Sequence, residues 1–275
     1  MQGATNPPVI PLHGPLAAMI LCGGEGSRMR EQGVDTHKPL LEIDGTPSTR
    51  FVIEGLQSGG LGFEQTLVVI PPSRAEEYEV ALAGLGAMLV VQPIPLGTGD
   101  AVLLACEQLQ PGIEHVYVTF GSQPLVRSST VAASLIHHLE NALSFTLPTT
   151  VREDPYAPLL RDEDGRVVGS DETHLEAAEM PEVGETNIGA YWAARSALDT
   201  VLQQVATRLR DVDRGRYHTS SGELGFPNEM VRACLEAGLG VDGIVCAGHE
   251  EVIGIKTPES VLEIEEELER RKSST

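Results

Sequence analysis

Lysine is nearly missing from this 275-residue chain, which holds it only at Lys38, Lys256 and Lys272. Nineteen basic residues stand against 40 acidic ones, and the formal charge of −21 excludes general nucleic-acid binding because a polyanionic backbone would be repelled. Scarce lysine beside plentiful arginine and alanine fits a biased genome and a salt-adapted surface equally. Long apolar runs are missing too. Gly, Pro or a charge interrupts each of them well short of the roughly 18 residues that a membrane-spanning helix needs. Cysteine is sparse, and Cys22, Cys106, Cys234 and Cys246 have no paired spacing. Neither a disulfide framework nor a zinc site is therefore indicated, and a reducing cytoplasm fits. The first residues lack the cationic stretch of a signal peptide, so residues 1–15 read as a Pro-rich flexible leader.

What is present is the make-up of a globular enzyme, with 41% apolar residues, 29 Gly and 18 Pro. Strands are predicted at Ala17–Cys22, Leu67–Ile70, Ala87–Val91, His115–Phe120, Ser144–Val151 and Gly243–Cys246. Helices are predicted between them at Thr49–Gly60, Glu76–Leu85, Thr98–Leu109, Ser129–Asn141, Ala194–Leu209 and Asn228–Gly238. The alternation predicts an α/β fold over residues 16–275: a mostly parallel, Rossmann-like open sheet with helices on both faces. A small β-hairpin is expected at Asp162–Val168, turning at Asp164-Gly165. His137 and His138 are adjacent on a helix, where neighbouring side chains diverge, and so do not form a metal pair.

Three stretches carry chemistry. Ala17–Cys22 runs into Gly23, Gly24 and Gly26, then Ser27, Arg28 and, ten residues on, Lys38-Pro39. That reads as a buried strand, an anion-sized loop whose N–H groups can approach a phosphate, and two cations to balance it. The P-loop pattern fails because no Lys-Ser/Thr follows the last glycine, and the dinucleotide fingerprint fails at Met29. The second stretch, Gln92 to Val102, holds Gly97 and Gly99 around Thr98, a candidate helix N-cap. The third is His115–Phe120, which delivers Gly121 and Ser122 at the carboxyl end of a strand, where sites of open sheets gather.

LCGGEGSRM followed by KPLLEIDGTP resembles the signature of sugar-1-phosphate nucleotidyltransferases, with Lys38 where that family keeps its catalytic lysine. QPIPLGTGDA resembles the second signature of N-acetylglucosamine-1-phosphate uridylyltransferases, whose Gln reads the uracil edge and whose Gly-Thr pair lies along the nucleotide. The resemblance runs from Ala17 to about Leu268 and implies a nucleotide-diphospho-sugar transferase (GT-A-like) fold, with a nucleotide half over about 16–125 and a sugar half over about 126–275. It implies nucleotide contacts from Leu21, Cys22, Gly23, Gly24, Gly26, Ser27, Gln92, Gly97, Thr98, Gly121 and Ser122. It implies sugar contacts from Tyr156, Glu172 and Asn187, with the polar Asp211–Gly225 loop as a flap. In the chemistry so implied, a sugar-1-phosphate oxygen attacks the α-phosphorus of a nucleoside triphosphate, UTP first. Arg28 holds the departing phosphates, and Lys38 bridges the α-phosphate and the sugar phosphate.

Two positions depart from that pattern. Ser122 replaces the aspartate, and Lys256 in EVIGIK the asparagine, that hold Mg²⁺ in the family. A hydroxyl and an ammonium offer no anionic oxygen, so Mg²⁺ is expected only as the triphosphate complex and not on the protein. Three readings stay open: an active transferase with Lys256 as a catalytic stand-in cation, an inactive nucleotide or nucleotide-sugar binder acting as sensor or partner subunit, and an active enzyme recruiting another acid, Asp100 being nearest. A homo-oligomer is equally open.

Overall fold

In the computed structural model, residues 13–24, 37–170 and 182–273 are described. The expected leader up to residue 12, together with Gly26, Ser27, Arg28 and Glu172, lies outside the described residues.

The first strand, β1 (Leu16–Leu21), is buried along its whole length. Its alternate residues Ala17, Met19 and Leu21 enter one core, while Ala18, Ile20 and the following Cys22 enter another. A strand covered on both faces must be apolar at every position, which is why LAAMIL shows no alternation. The chain continues through the ribbon β2 (Glu42–Ile43) and β3 (Thr46–Pro47), helix α1 (Ser48–Ser58), β4 (Phe63–Ile70), α2 (Ala75–Ala81) and β5 (Met88–Val91). Then come α3 (Thr98–Cys106), β6 (His115–Phe120), α4 (Ser128–Glu140), β7 (Phe145–Glu153), and the hairpin β8 (Leu159–Arg161) and β9 (Val167–Ser170). Strands β10 (Val183–Asn187) and β11 (Ala190–Ala194) lead into a helical stretch ending in α5 (Gln203–Leu209). The ribbon β12 (Arg210–Asp211) and β13 (Arg216–Tyr217), α6 (Pro227–Glu236), β14 (Val241–Val245) and α7 (Pro258–Ser273) complete the chain.

Among the described residues, eight strands form one sheet. β5, β4, β1 and β6 are parallel neighbours, β11 joins β6 antiparallel, β7 pairs antiparallel with both β10 and β11, and β14 lies parallel on the other edge of β7. Only β10 and β11 run against the rest, so the sheet is mostly parallel as the alternation of elements predicts. Between Asn187 and Trp192 the chain advances five residues while β7 steps back only three, from Thr149 to Thr146. The surplus is taken up at Ile188 and Gly189, where φ is +76°; such a bulge bends a strand and re-aims its side chains. Helices α3 and α6 and the stretch from Leu198 to Ala206 pack on one face of the sheet, and α1, α2 and α4 on the other. No helix among the described residues is long and apolar enough to cross a membrane.

Some local expectations change. The predicted helix Ala194–Leu209 contains a π-helical turn at Leu198–Leu202, and the Asp211–Gly225 loop begins inside the β12–β13 ribbon. In the β8–β9 hairpin, Asp162 is no bystander: its Oδ1 accepts the Asp164 and Arg166 N–H groups at 3.0 and 2.8 Å. Arg161 ties the hairpin down, pairing with Glu185 at 2.6 Å and with Asp242 at 2.8 Å. The Glu185 hydrogen bonds hold its guanidinium charged more firmly than usual.

The two histidines do diverge. His137 pairs with Asp242 at 3.0 Å, while His138 is buried between Thr146, at 2.9 Å, and His115, at 3.1 Å. Burial, then the neighbouring His115, pushes the His138 value from 6.5 down to about 3, and burial lowers His115 as well. Both are therefore neutral in the folded protein at pH 7. The unfolded chain takes up protons as pH falls through about 6.5 and the folded chain does not, so stability drops with falling pH in the window down to about 3. Urea unfolding between pH 7 and 5 is expected to show this loss, with the slope from His138 approaching about 1.4 kcal/mol per pH unit only below about pH 6. His138→Gln should flatten that slope, and an unchanged slope would refute the assignment.

Candidate active site

The carboxyl ends of β1, β5 and β6 open into one cavity of about 640 Å³. From β1 come Leu21, Cys22, Gly23 and Gly24. The Cys22 thiol lies 3.6 Å from Thr49 Oγ1, and burial pushes it up to about 11, so it stays protonated and is no nucleophile. His37, missed in the sequence, is buried with Nδ1 2.9 Å from the Tyr78 hydroxyl and Nε2 against the Gly24 carbonyl. A carbonyl only accepts, so Nε2 donates to it, and in the neutral ring Nδ1 accepts from Tyr78. This clamp ties His37 to Gly24 and to Tyr78, and Lys38, the next residue, stands on the cavity wall. The one available signal was its place directly before Lys38-Pro39.

At the end of β6, Gly121 does not line the cavity. A Cβ there would stand 2.5 Å from Cys22 Sγ and 2.6 Å from Thr49 Oγ1, and the Ser48 hydroxyl donates to its carbonyl at 2.8 Å. Gly121 thus lets β6 end close beside β1, and Ser122 takes the wall. The Ser122 carbonyl accepts the Ile255 N–H at 2.8 Å, which brings Lys256 into the cavity. The Lys256 ammonium rests 5.0 Å from the centre of the Tyr156 ring, a cation–π contact. Glu251, earlier in EVIGIK, turns away: its buried carboxylate accepts from Arg127 N, Thr130 Oγ1 and Gly248 N at 2.8 to 2.9 Å.

Gln92, Gly97 and Thr98 line the cavity after β5. Thr98 is not an N-cap. Gly97 occupies that position at φ 101° with no side-chain cap, and the Thr98 hydroxyl instead accepts the Phe226 N–H at 2.9 Å, 128 residues along the chain. Gly97 and Gly99 let backbone approach backbone: a Cβ at Gly97 would overlap the Leu224 carbonyl oxygen, and one at Gly99 would be 2.7 Å from the Gly225 oxygen. The Leu224 N–H donates to Leu96 O at 2.7 Å and its carbonyl accepts from Gly99 N at 2.8 Å, sealing the junction. Asp100 does not reach the wall, since its carboxylate is engaged by Gln92 and Tyr217.

Further along the chain, Asn187 and Tyr156 line the cavity. Asn187 Oδ1 accepts from Gly189 N and the Tyr191 hydroxyl, and its Nδ2 donates to Ala157 O at 3.2 Å, leaving one N–H. The sequence reading passed over Arg152, Gln123, Asn228 and Glu229, which also line it; Thr219 to Gly225, from the expected flap, form the facing wall. Where the resemblance implies metal ligands the cavity presents the Ser122 hydroxyl and the Lys256 ammonium. Among the described residues its lining carboxylates, Glu223 and Glu229, belong to the wall beyond Thr219, and Glu229 is paired with Arg232 at 3.0 Å. This donor set does not fit a protein-bound Mg²⁺, which needs anionic oxygens.

The carboxyl strand ends of open sheets are where ligands bind, and comparison with known proteins puts this chain among the nucleotidyltransferases. Residues 18–166, more than half of it, match the MobA-like NTP transferase domain, and the chain belongs to that family. It is similar to the bifunctional protein GlmU of Nitratidesulfovibrio vulgaris strain DP4, 30% identical over 92% of this chain and 52% of that one. GlmU of Desulfotalea psychrophila is 28% identical over 94% and 72% respectively. The chain spans about half the length of most of these curated relatives. A nucleotidyl transferase from Methanothermobacter thermautotroptrophicus shares the fold with a TM-score of 0.60 and 21% identity, over 94% of this chain and 99% of that one. So does 4-diphosphocytidyl-2C-methyl-D-erythritol synthase from Anaerococcus prevotii, with 0.62 and 12% over 93% and 98%.

The Gly97 junction is open to test. Gly97→Ala forces both a left-handed backbone and a collision with Leu224, and is expected to cost about 2 to 5 kcal/mol in urea unfolding. A loss within about 0.5 kcal/mol, the size of a surface change, would show that the close approach does not matter.

Proposed function

We propose that the chain transfers a nucleoside monophosphate from a nucleoside triphosphate, UTP first, to a sugar-1-phosphate or similarly phosphorylated alcohol, with release of pyrophosphate. The observation that carries this reading is that Lys38 and Lys256, two of three lysines in a chain of charge −21, line the same cavity as Gln92. Family membership supports the nucleotidyl chemistry, and the likeness of EDPYA and ETNIGAY to sugar-binding segments supports the acceptor class. A reducing cytoplasm is the compartment we assign.

An oxygen of the acceptor phosphate attacks the α-phosphorus in line. The new P–O bond forms as the bond to the β-bridging oxygen breaks, and pyrophosphate leaves with the electron pair. Lys38 is assigned to bridge the two reacting phosphates, where negative charge gathers, and Arg28 to the departing β- and γ-phosphates. Lys256, steadied on Tyr156, is a second fixed cation beside them, one charge unit where a divalent metal supplies two. Magnesium belongs to the triphosphate substrate, whose charge it screens. Tyr156, Glu172 and the spare N–H of Asn187 are assigned to the acceptor's hydroxyl groups. Ser122 favours a second reading, a nucleotide-binding sensor or partner subunit without turnover, since its hydroxyl adds no charge to the site.

Pyrophosphate release, measured with each of the four ribonucleoside triphosphates against a panel of phosphorylated sugars and alcohols, separates the two. Lys38→Ala is expected to lower kcat/KM by roughly 10² to 10³-fold without altering thermal unfolding, while Lys256→Asn keeps measurable turnover. No release with any pair would remove the transferase reading. Calorimetry with UTP and UDP-N-acetylglucosamine, with and without a chelator, then decides the binding one.

A further inference from the structure

Gln92 is 4% exposed and closes the end of β5 on the cavity side. Its Nε2 donates to the Gly97 carbonyl at 3.2 Å and to Asp100 Oδ2 at 3.0 Å. An amide nitrogen has two hydrogens, so both are used. A backbone carbonyl and an ionised carboxylate can only accept, so the amide seats one way round: with nitrogen and oxygen exchanged, Oε1 would face two acceptors. Oε1 is thereby turned to Gly23, where a Cβ would overlap it, and Gly23 and Gln92 are both on the cavity wall. Among the described residues no donor reaches Oε1. Gln92 therefore offers the cavity an acceptor and no donor, although a glutamine free to turn would offer either.

Asp100 is held from behind. Its Oδ1 accepts the Tyr217 hydroxyl at 2.9 Å. The Arg210 guanidinium lies 3.9 Å from the same oxygen and 5.0 Å from the centre of the Tyr217 ring. The β12–β13 ribbon, well outside the glycine loops, thus fixes the carboxylate that fixes the amide.

We infer that Asp100 is a specificity-determining positioning residue which, by taking a hydrogen of Gln92 Nε2, aims the Gln92 carbonyl at the bound base and selects a base that offers an N–H donor on that edge. This rests on the nucleotide reading above. Among the pyrimidines, the class that the proposed UTP reading favours, two donors meet the description, the ring N3–H of uracil and the exocyclic amine of cytosine. They occupy neighbouring positions of the edge, and at each position the other base presents an acceptor. An acceptor-only Gln92 therefore separates the two bases at whichever position it faces.

Dissociation constants for UTP, CTP and N3-methyl-UTP are measured by calorimetry on the wild-type chain, Asp100→Asn and Tyr217→Phe. The wild type is expected to separate UTP from CTP at least tenfold. If UTP is favoured, N3-methyl-UTP loses a similar factor and N3–H is the group read; if CTP is favoured, the amine is. Asp100→Asn is nearly isosteric but lets Gln92 meet either an acceptor or a donor, so the UTP:CTP ratio should fall to within about threefold while both still bind. Tyr217→Phe keeps the carboxylate in front of Gln92 and should keep the ratio. A ratio is the readout because merely loosening the fold weakens both nucleotides alike. Wild-type binding without discrimination, or a tenfold ratio surviving in Asp100→Asn, overturns the inference while leaving the transferase reading intact. Binding of neither triphosphate by the wild type overturns both. Should Asp100→Asn fail to fold, the three wild-type constants alone still refute the inference if they are equal.

Discussion

Backbone-to-backbone approach is the constraint on which this cavity depends. Several segments meet at its rim, and at four of the meetings one partner is glycine. Gly121 gives room to Cys22 and Thr49, Gly97 and Gly99 to Leu224 and Gly225, Gly189 to Gln123, and Gly254 to the Ser122 carbonyl. Interiors are packed to the density of organic crystals, so at Gly97 and Gly99, where the neighbour is backbone, there is no slack for a methyl group. The glycines that resemble nucleotide-contacting signatures are thus partly structural. Gly97 lies on the cavity wall, and glycine is also the residue type that both lets the wall around Leu224 close against the loop after β5 and adopts φ 101° without strain.

The features legible in the sequence were those set by local rules. β1 could be read because a doubly covered strand must be apolar throughout, and the parallel sheet because strands and helices alternate. The grouping of Lys38, Gln92, Asn187 and Lys256 followed from motifs carried on those elements. The misreadings arose where a distant residue decided the outcome. Thr98 precedes a helix and has an N-cap's chemistry, but the Phe226 N–H claims its hydroxyl. His37 drew no reading from the sequence, because it becomes a clamp only once Tyr78 is opposite. Asp100 suits a helix N-terminus by its charge alone, and nothing local says that Gln92 will lie 3.0 Å away. The π turn at Leu198–Leu202 has no local signature at all.

Charge is distributed to match. The acidic excess covers the surface, whereas the cavity gathers Lys38, Arg152 and Lys256. In such a chain a few cations in a recess make a strong local contrast, since surrounding carboxylates repel anions everywhere else. The later part of the chain is fastened by ion pairs as well as by glycine contacts. Arg161 joins β8 to β10 and β14 through Glu185 and Asp242, and Asp242 goes on to His137 of α4. Burial alone would raise the Asp242 carboxyl, but Arg161 and His137 more than offset it and hold it below its usual value.

The seam between Leu96–Gly99 and Leu224–Phe226 has a consequence for engineering. Exchanging the cavity wall around residues 219–225 for another scaffold's is an obvious engineering move, but here that wall is bonded through Leu224 and Phe226 to the loop that follows Gln92. A graft of residues 218–226 alone would set foreign backbone against Gly97 and disturb the cavity on both sides of the seam. The transplantable module in this chain is the pair of loops, taken together.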